Sequence, residues 1–403
     1  MEQQLDRDVV ATNLVRIRNR HDLSKKKAAE RADVSYRTYL KMENGETNFQ
    51  LDTLRKVAHA LEVKISDLLR PAPRLRTVRF RAGEGLRKRD DIVAQAGIWL
   101  EGYNQLEEML DDHKSARFSE WLDRDFNLPD SAGSARERGE AAAAQVREFF
   151  DIKADEPIRD ICGLLAANGI KVLPYQTSTD AFFGLSVGAP DGGPLVVVNV
   201  FERITVERWI FTAAHELGHI VLHRSSFDVD EEFEDKREEE EANWFASAFL
   251  MPGDLFQREW DYTSGLPFVR RVFKLKRMFR VSYQTVLRRL IENREAAGQR
   301  DTYRRLYQIW NKAYEHHYGK RIESKTEEPD PLDPSAFSKV YRSEEEEPLA
   351  ASDFVEEGLS ALVRRAFERE MITLSKVAEY LQVSLSEARA IASEWEQERS
   401  LGF

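Results

Sequence analysis

The pentapeptide His215-Glu216-Leu217-Gly218-His219 is the most chemically loaded stretch of the chain. Two histidines four apart on a helix share one face, close enough for both imidazoles to reach one metal ion. The glutamate after the first can hold or deprotonate a water there. That is equipment for metal-assisted hydrolysis. Ile210, Phe211, Ala214, Leu217, Ile220 and Val221 keep helical spacing, so a helix over 205–222 buries one face and carries the histidines along its edge. A catalytic zinc site takes three protein ligands and leaves one position open. His223 is a poor third. On a continuous helix it lies ~12 Å beyond His215 at ~1.5 Å per residue, and Ile220-Val221-Leu222 holds no breaker. It is expected beside the ligands or on the surface. A following helix over 238–250 brings Glu238-Glu239-Glu240-Glu241. Glu239 is the chosen third ligand. Its neighbours stay open as alternatives, because consecutive glutamates blur the register and such runs are otherwise solvated faces. Asn243, one turn on, shares the face of Glu239 and is placed to orient a ligand histidine by hydrogen bond.

A second constellation lies near the N-terminus. Ser24 suits the N-cap of a helix over 25–31 and Ser35 that of one over 36–43, with Asp33-Val34 turning between them and Asn44-Gly45 ending the second. In a helix-turn-helix the second helix enters the major groove with its N-terminal residues at base edges. Ser35, Tyr36, Arg37, Thr38 and Lys41 occupy those positions, and Lys25, Lys26 and Lys27 are placed for phosphates. Residues 1–93 carry 21 Lys and Arg against 14 Asp and Glu, while the rest carries 39 against 57. A basic head on an acidic body confines nucleic-acid contact to the head. The alternative is a small helical protein-interaction module.

These sites need scaffolds. A chain of 403 residues, 42% hydrophobic and 33% charged, holds two to three domains at ~100–200 residues each. No apolar run approaches the ~18 residues of a membrane span and no leader is evident, so a cytoplasmic protein is expected. The single cysteine, Cys162, excludes an internal disulfide and belongs to an apolar helix. The periodicity predicts a multidomain, mainly α chain. An all-α helix-turn-helix head spans 10–70. A basic bridge and helical linker, 71–134, contains a strand over 77–81 and a helix over 90–110. An α+β body with a small sheet and a helical extension covers 135–300, with helices over 138–149 and 157–168 and strands over 171–173, 182–187 and 195–200. A helix and acidic, Pro-rich linker follow over 301–349, then a C-terminal helical unit over 350–403. The stretches 275–290 and 374–391 have a helix-turn-helix rhythm that plain helix packing explains equally well.

Two resemblances sharpen this. The run from Trp209 to His223 resembles the core of the ImmA/IrrE family of metallo-endopeptidases. So do Glu239-x-x-Ala242-Asn243-x-Phe245-Ala246-x-x-Phe249-Leu250-Met251-Pro252, the 157–169 segment, Phe183-Gly184, and Val196-Val-Val-Asn199. The likeness covers about 136–290. It implies a zincin-like fold that takes zinc, or manganese as the alternative, with His215, His219 and Glu239 as ligands and Glu216 as general base. It also implies a repressor-type protein as substrate, in a stress or mobile-element circuit. The head resembles the Xre/Cro-type helix-turn-helix family through Leu23-Ser24, Ala28-Ala29, Val34-Ser35, Met42-Glu43-Asn44-Gly45 and Leu54-x-x-Val57-Ala58-x-Ala60-Leu61. That implies binding to a double-stranded operator as a homodimer. Lysines stand at 25 and 26, where this family often has glutamine, so phosphate contact is expected there. The joint expectation is a transcription regulator fused to a zinc endopeptidase that cleaves a regulatory protein or its own chain. The rival is a non-proteolytic regulator whose metal site senses a ligand or a metal.

Overall fold

The computed structural model describes residues 7–20, 23–46, 50–82, 89–128, 133–177, 182–202, 204–227, 235–296, 303–320 and 348–401. The expected acidic, Pro-rich linker lies almost wholly outside them, as do 129–132 at the end of the expected helical linker over 71–134. The chain divides into two units, 1–74 with 88–98, and 75–87 with 99–403.

The first unit holds α1 (Arg7–Arg20), α2 (Lys25–Arg31), α3 (Tyr36–Glu43), α4 (Leu51–Ala60) and α5 (Ile65–Leu69). The Ser24 hydroxyl accepts from Lys27 N at 3.2 Å and that of Ser35 from Thr38 N at 3.0 Å, satisfying amides that a helix start leaves unpaired. Asp33 turns the chain between α2 and α3 at φ 49°, and Gly45 ends α3 at φ 67°. Leu14, Ala28, Tyr39, Leu54, Val57 and Leu68 close the core.

The second unit is built on a sheet of β1 (Val78–Ala82), β2 (Lys171–Tyr175), β3 (Phe182–Val187) and β4 (Leu195–Asn199), in the order β1-β3-β4-β2. β2 and β4 are parallel and the other pairs antiparallel. β4, Leu-Val-Val-Val-Asn, is buried along its whole length, as a strand covered on both faces must be. Pro174 sits on edge strand β2, where a missing N–H costs no ladder bond. The strand expected in the basic bridge forms, but as an edge of this sheet and not as part of a linker.

The helices are α6 (Arg89–Leu110), which crosses the division between the units, α7 (Lys114–Arg124), α8 (Ala135–Phe149), α9 (Ile161–Ala167), α10 (Val206–Leu222) and α11 (Lys236–Leu250). They continue with α12 (Gly253–Tyr262), α13 (Phe268–Phe279), α14 (Tyr283–Ala296), α15 (Tyr303–Tyr318), α16 (Gly358–Glu368), α17 (Leu374–Tyr380) and α18 (Leu385–Leu401). The helix expected over 157–168 begins only at Ile161, because the Asp160 carboxylate accepts from Gly163 N at 3.0 Å and caps it there. α7 was not anticipated. α11 starts two residues earlier than expected, where Asp235 accepts from Arg237 N and Glu238 N at 2.8 and 3.1 Å.

α10 is buried nearly all round, between the sheet and the pair α8 and α11. α8 and α11 meet so closely that a Cβ on Gly139 would stand 2.7 Å from Glu241 O and Phe245 N, a contact only glycine allows. A buried ion pair, Lys276 Nζ to Glu207 Oε1 at 2.6 Å, ties α13 to the first turn of α10. Cys162 lies in the core. Among the described residues no helix is long and apolar enough to cross a membrane.

Candidate metal centre and nucleic-acid interface

α10 presents His215 and His219 on consecutive turns, and their Nε2 atoms stand 2.9 Å apart. α11 runs alongside and brings Glu239 onto both, Oε2 at 3.2 Å from His215 Nε2 and Oε1 at 2.9 Å from His219 Nε2. Of the four consecutive glutamates, only Glu239 joins the three-residue group able to hold a metal among the described residues. The donor chemistry fits a divalent ion. Ligand atoms of a tetrahedral zinc site, at ~2.0–2.2 Å from the ion, stand roughly 3.3 Å from one another, close to the separations here.

The far side of each imidazole is also held. His215 Nδ1–H donates to Asn243 Oδ1 at 3.0 Å, leaving the Nε2 lone pair for the cluster. His219 Nδ1 lies 2.9 Å from His223 Nδ1, and His223 Nε2 lies 3.2 Å from Glu241 Oε2. With the Glu241 carboxylate accepting from His223 Nε2–H, His223 Nδ1 accepts from His219 Nδ1–H. The second lone pair then also faces the cluster. Burial pushes the pKa of His219 well below, and that of His223 below, the ordinary histidine value, so both rings are neutral as this chain of bonds requires. α10 runs unbroken to Leu222 with His223 as its C-cap, so His223 lies against His219 and outside the three-residue group.

Glu216 points from α10 toward β3. Its carboxylate accepts from Ser186 Oγ, which also lies 3.3 Å from Glu216 O. A Cβ on Gly184 would fall 2.7 Å from Thr212 Cγ2 and 3.0 Å from Glu216 Oε1, so glycine at this point lets the strand and the glutamate approach. His215, Glu216 and His219 are all 0% exposed. Arg79 reaches over from β1, with one guanidinium nitrogen on Glu238 and the other 3.4 Å from Glu239 Oε1. Sequence reasoning singled out neither Ser186, Arg79 nor the partner role of Glu241. Gly184 was marked only through the resemblance.

In the head, Ser35, Tyr36, Arg37, Thr38 and Lys41 are exposed along α3, Tyr36 by 51%. Lys26 is exposed, whereas Lys25 Nζ pairs with buried Glu43 at 3.3 Å beside the Arg18–Glu43 pair. Part of its charge is therefore turned onto the protein, away from any phosphate. The Ser35 and Thr38 hydroxyls meet at 2.7 Å, so Ser35 is engaged as a cap.

A family profile described as "Helix-turn-helix" matches residues 14–68, and one described as "IrrE N-terminal-like domain" matches 167–291. No curated protein matches the chain. Among solved structures the chain is similar to the apo form of the competence regulator ComR from Streptococcus vestibularis. That match has 13% identity over 76% of this chain and 92% of the other, with a TM-score of 0.15, too low for any argument to rest on it. The chain thus joins an Xre-type helix-turn-helix region to an IrrE-like peptidase region, consistent with an all-α head and an α+β body carrying a small sheet.

Proposed function

We propose that this chain is a DNA-binding regulator whose body is a metal-dependent endopeptidase acting on a repressor-type protein or on its own chain. His215, His219 and Glu239 would hold the ion, zinc or manganese, with Asn243 and His223 orienting the two imidazoles. The ion when bound supplies polarisation of the scissile carbonyl and acidification of the attacking water. Glu216, aimed by Ser186, takes a proton from that water and returns it to the departing amine. The observation that carries this reading is the placement of Glu216. It is a buried carboxylate one residue from a candidate ligand, hydrogen-bonded from β3, and a binding site alone has no use for it. The exposed face of α3, with Arg37 and Lys41, would read an operator, and a homodimer would span two half-sites.

One feature supports the rival, a regulator that senses a metal or ligand without proteolysis. His215, Glu216 and His219 are 0% exposed and only the Glu239 side chain is partly exposed, at 14%, which narrows the approach of a polypeptide. Mass spectrometry of newly formed protein N-termini separates the two, comparing cells that carry the natural chain with cells that carry Glu216→Gln, under DNA damage and metal stress. Termini that depend on Glu216 are the expected result. Their absence in every condition, with metal still bound, supports the sensor.

A further inference from the structure

Part of what covers the buried histidines and Glu216 is a strand. β3 is the strand that touches Glu216, through Ser186 and Gly184. An extended peptide binds a sheet by adding to its edge, and the strand that lies against Glu216 is β3. That place is taken. β4 pairs with one side of β3, and β1 pairs antiparallel with the other, with Arg79 opposite Ser186 and Arg81 opposite Gly184. The Arg79 guanidinium enters the site and binds Glu238 and Glu239. Val78 is wholly buried, and Phe80 stacks on Phe182 with ring centroids 5.1 Å apart.

β1 is also tied at its start. The Asp191 carboxylate accepts from Arg76 N at 2.6 Å and from Thr77 N at 2.5 Å, and Gly188 N donates to Thr77 O at 2.8 Å. The profile for the peptidase region begins at residue 167, so β1 is not part of what it matches. In sequence β1 belongs to a segment, 75–87, that is preceded and followed by residues of the head unit.

The geometry points to β1 as a substrate-like strand built into the chain, occupying the peptide-binding edge of β3 and displaced when an extended peptide with a basic side chain facing Glu238 takes its place. This rests on the endopeptidase reading and names its substrate class. Glu238 is outside the candidate metal-binding set, so its charge remains available to an incoming arginine or lysine.

The probe is a fluorescein-labelled peptide with the sequence of residues 74–83, titrated by anisotropy into the zinc-loaded full chain carrying Glu216→Gln. Adding Phe80→Ala removes the ring stack on Phe182 without touching any candidate ligand, and Arg79→Ala removes the anchor. Each should tighten peptide binding at least about tenfold, the gain expected when a competing internal strand loses ~1.4 kcal/mol. A peptide with glutamate at the Arg79 position should bind more weakly in every background. Hydrogen exchange gives a second readout. The β3 amide of Ser186, opposite Arg79, should exchange faster in the Phe80→Ala chain without peptide than in the same chain at peptide saturation. Equal peptide affinity with and without Phe80→Ala and Arg79→Ala, in folded protein, overturns the proposal. The same peptide is offered to the chains with Glu216 intact. Tighter binding without cleavage upholds the strand and removes the peptidase, whereas cleavage at equal rate and equal affinity does the reverse.

Discussion

His223→Ala tests how the buried hydrogen-bond chain sets metal affinity. His219 is 0% exposed, and its Nδ1–H has His223 Nδ1 as acceptor at 2.9 Å. Removing that acceptor leaves two outcomes. The Nδ1–H stays unpaired in the core, at a cost of about 1–3 kcal/mol, or the proton moves to Nε2 and takes the lone pair from the cluster. Either one lowers affinity by about 10–100-fold, the loss typical when the partner of a ligand histidine is removed, equivalent to about 1.4–2.7 kcal/mol. Glu241→Gln keeps His223 but weakens its hold on the Nε2–H, so a smaller loss is expected. The assay is competition for zinc against a chromophoric chelator at fixed pH, with circular dichroism to verify the fold. An affinity within about threefold of the natural chain, in a folded His223→Ala protein, refutes the reasoning.

Three further outcomes follow from other parts of the molecule. Lys276→Met should destabilise the body by about 3–5 kcal/mol in urea unfolding. It strands the Glu207 carboxylate, 4% exposed at the first turn of α10, and adding Glu207→Leu should restore more than half of the loss. Burial raises the carboxyl pKa of Glu356 to about 7, against opposing backbone bonds from Leu359 and Gly358. The folded state therefore holds this proton more tightly than the unfolded one, and the linked stability, present below pH ~4.5, is lost as pH rises toward ~7, about 3 kcal/mol in all. Glu356→Gln should flatten that slope and stabilise the chain at pH 8, as read by denaturant midpoints across pH. Arg37→Ala, at the exposed start of α3, should weaken binding to a duplex selected by the head from random sequences by about 1–3 kcal/mol in anisotropy, with thermal stability unchanged.

What was legible in the sequence is what local spacing decides. The i, i+4 histidines share a helix face wherever that helix packs, and Ser24 and Ser35 cap helices through bonds three residues away. Which of four consecutive glutamates faces the histidines depends on the phase of α11. That phase is set by the Asp235 cap and by the approach of α8 at Gly139, and neither can be read from a run of identical residues. Arg79 and Ser186 reach the site only through strand pairing, between segments more than a hundred residues apart. The strand over 77–81 was visible as an alternation, but its alternation does not say which sheet it joins. Lys25 looked like a phosphate contact because its partner Glu43 is on another helix. α7 escaped because its start carries no side-chain cap.

The central claim is one divalent ion bound between His215, His219 and Glu239, within reach of Glu216. Anomalous diffraction at the zinc edge from crystals of the full chain tests it most directly. The account predicts a single peak about 2.0–2.2 Å from His215 Nε2, His219 Nε2 and a Glu239 carboxylate oxygen, absent from His219→Ala and retained in Glu216→Gln. A zinc-saturated protein with no peak there, or with its peak on other residues, would contradict it.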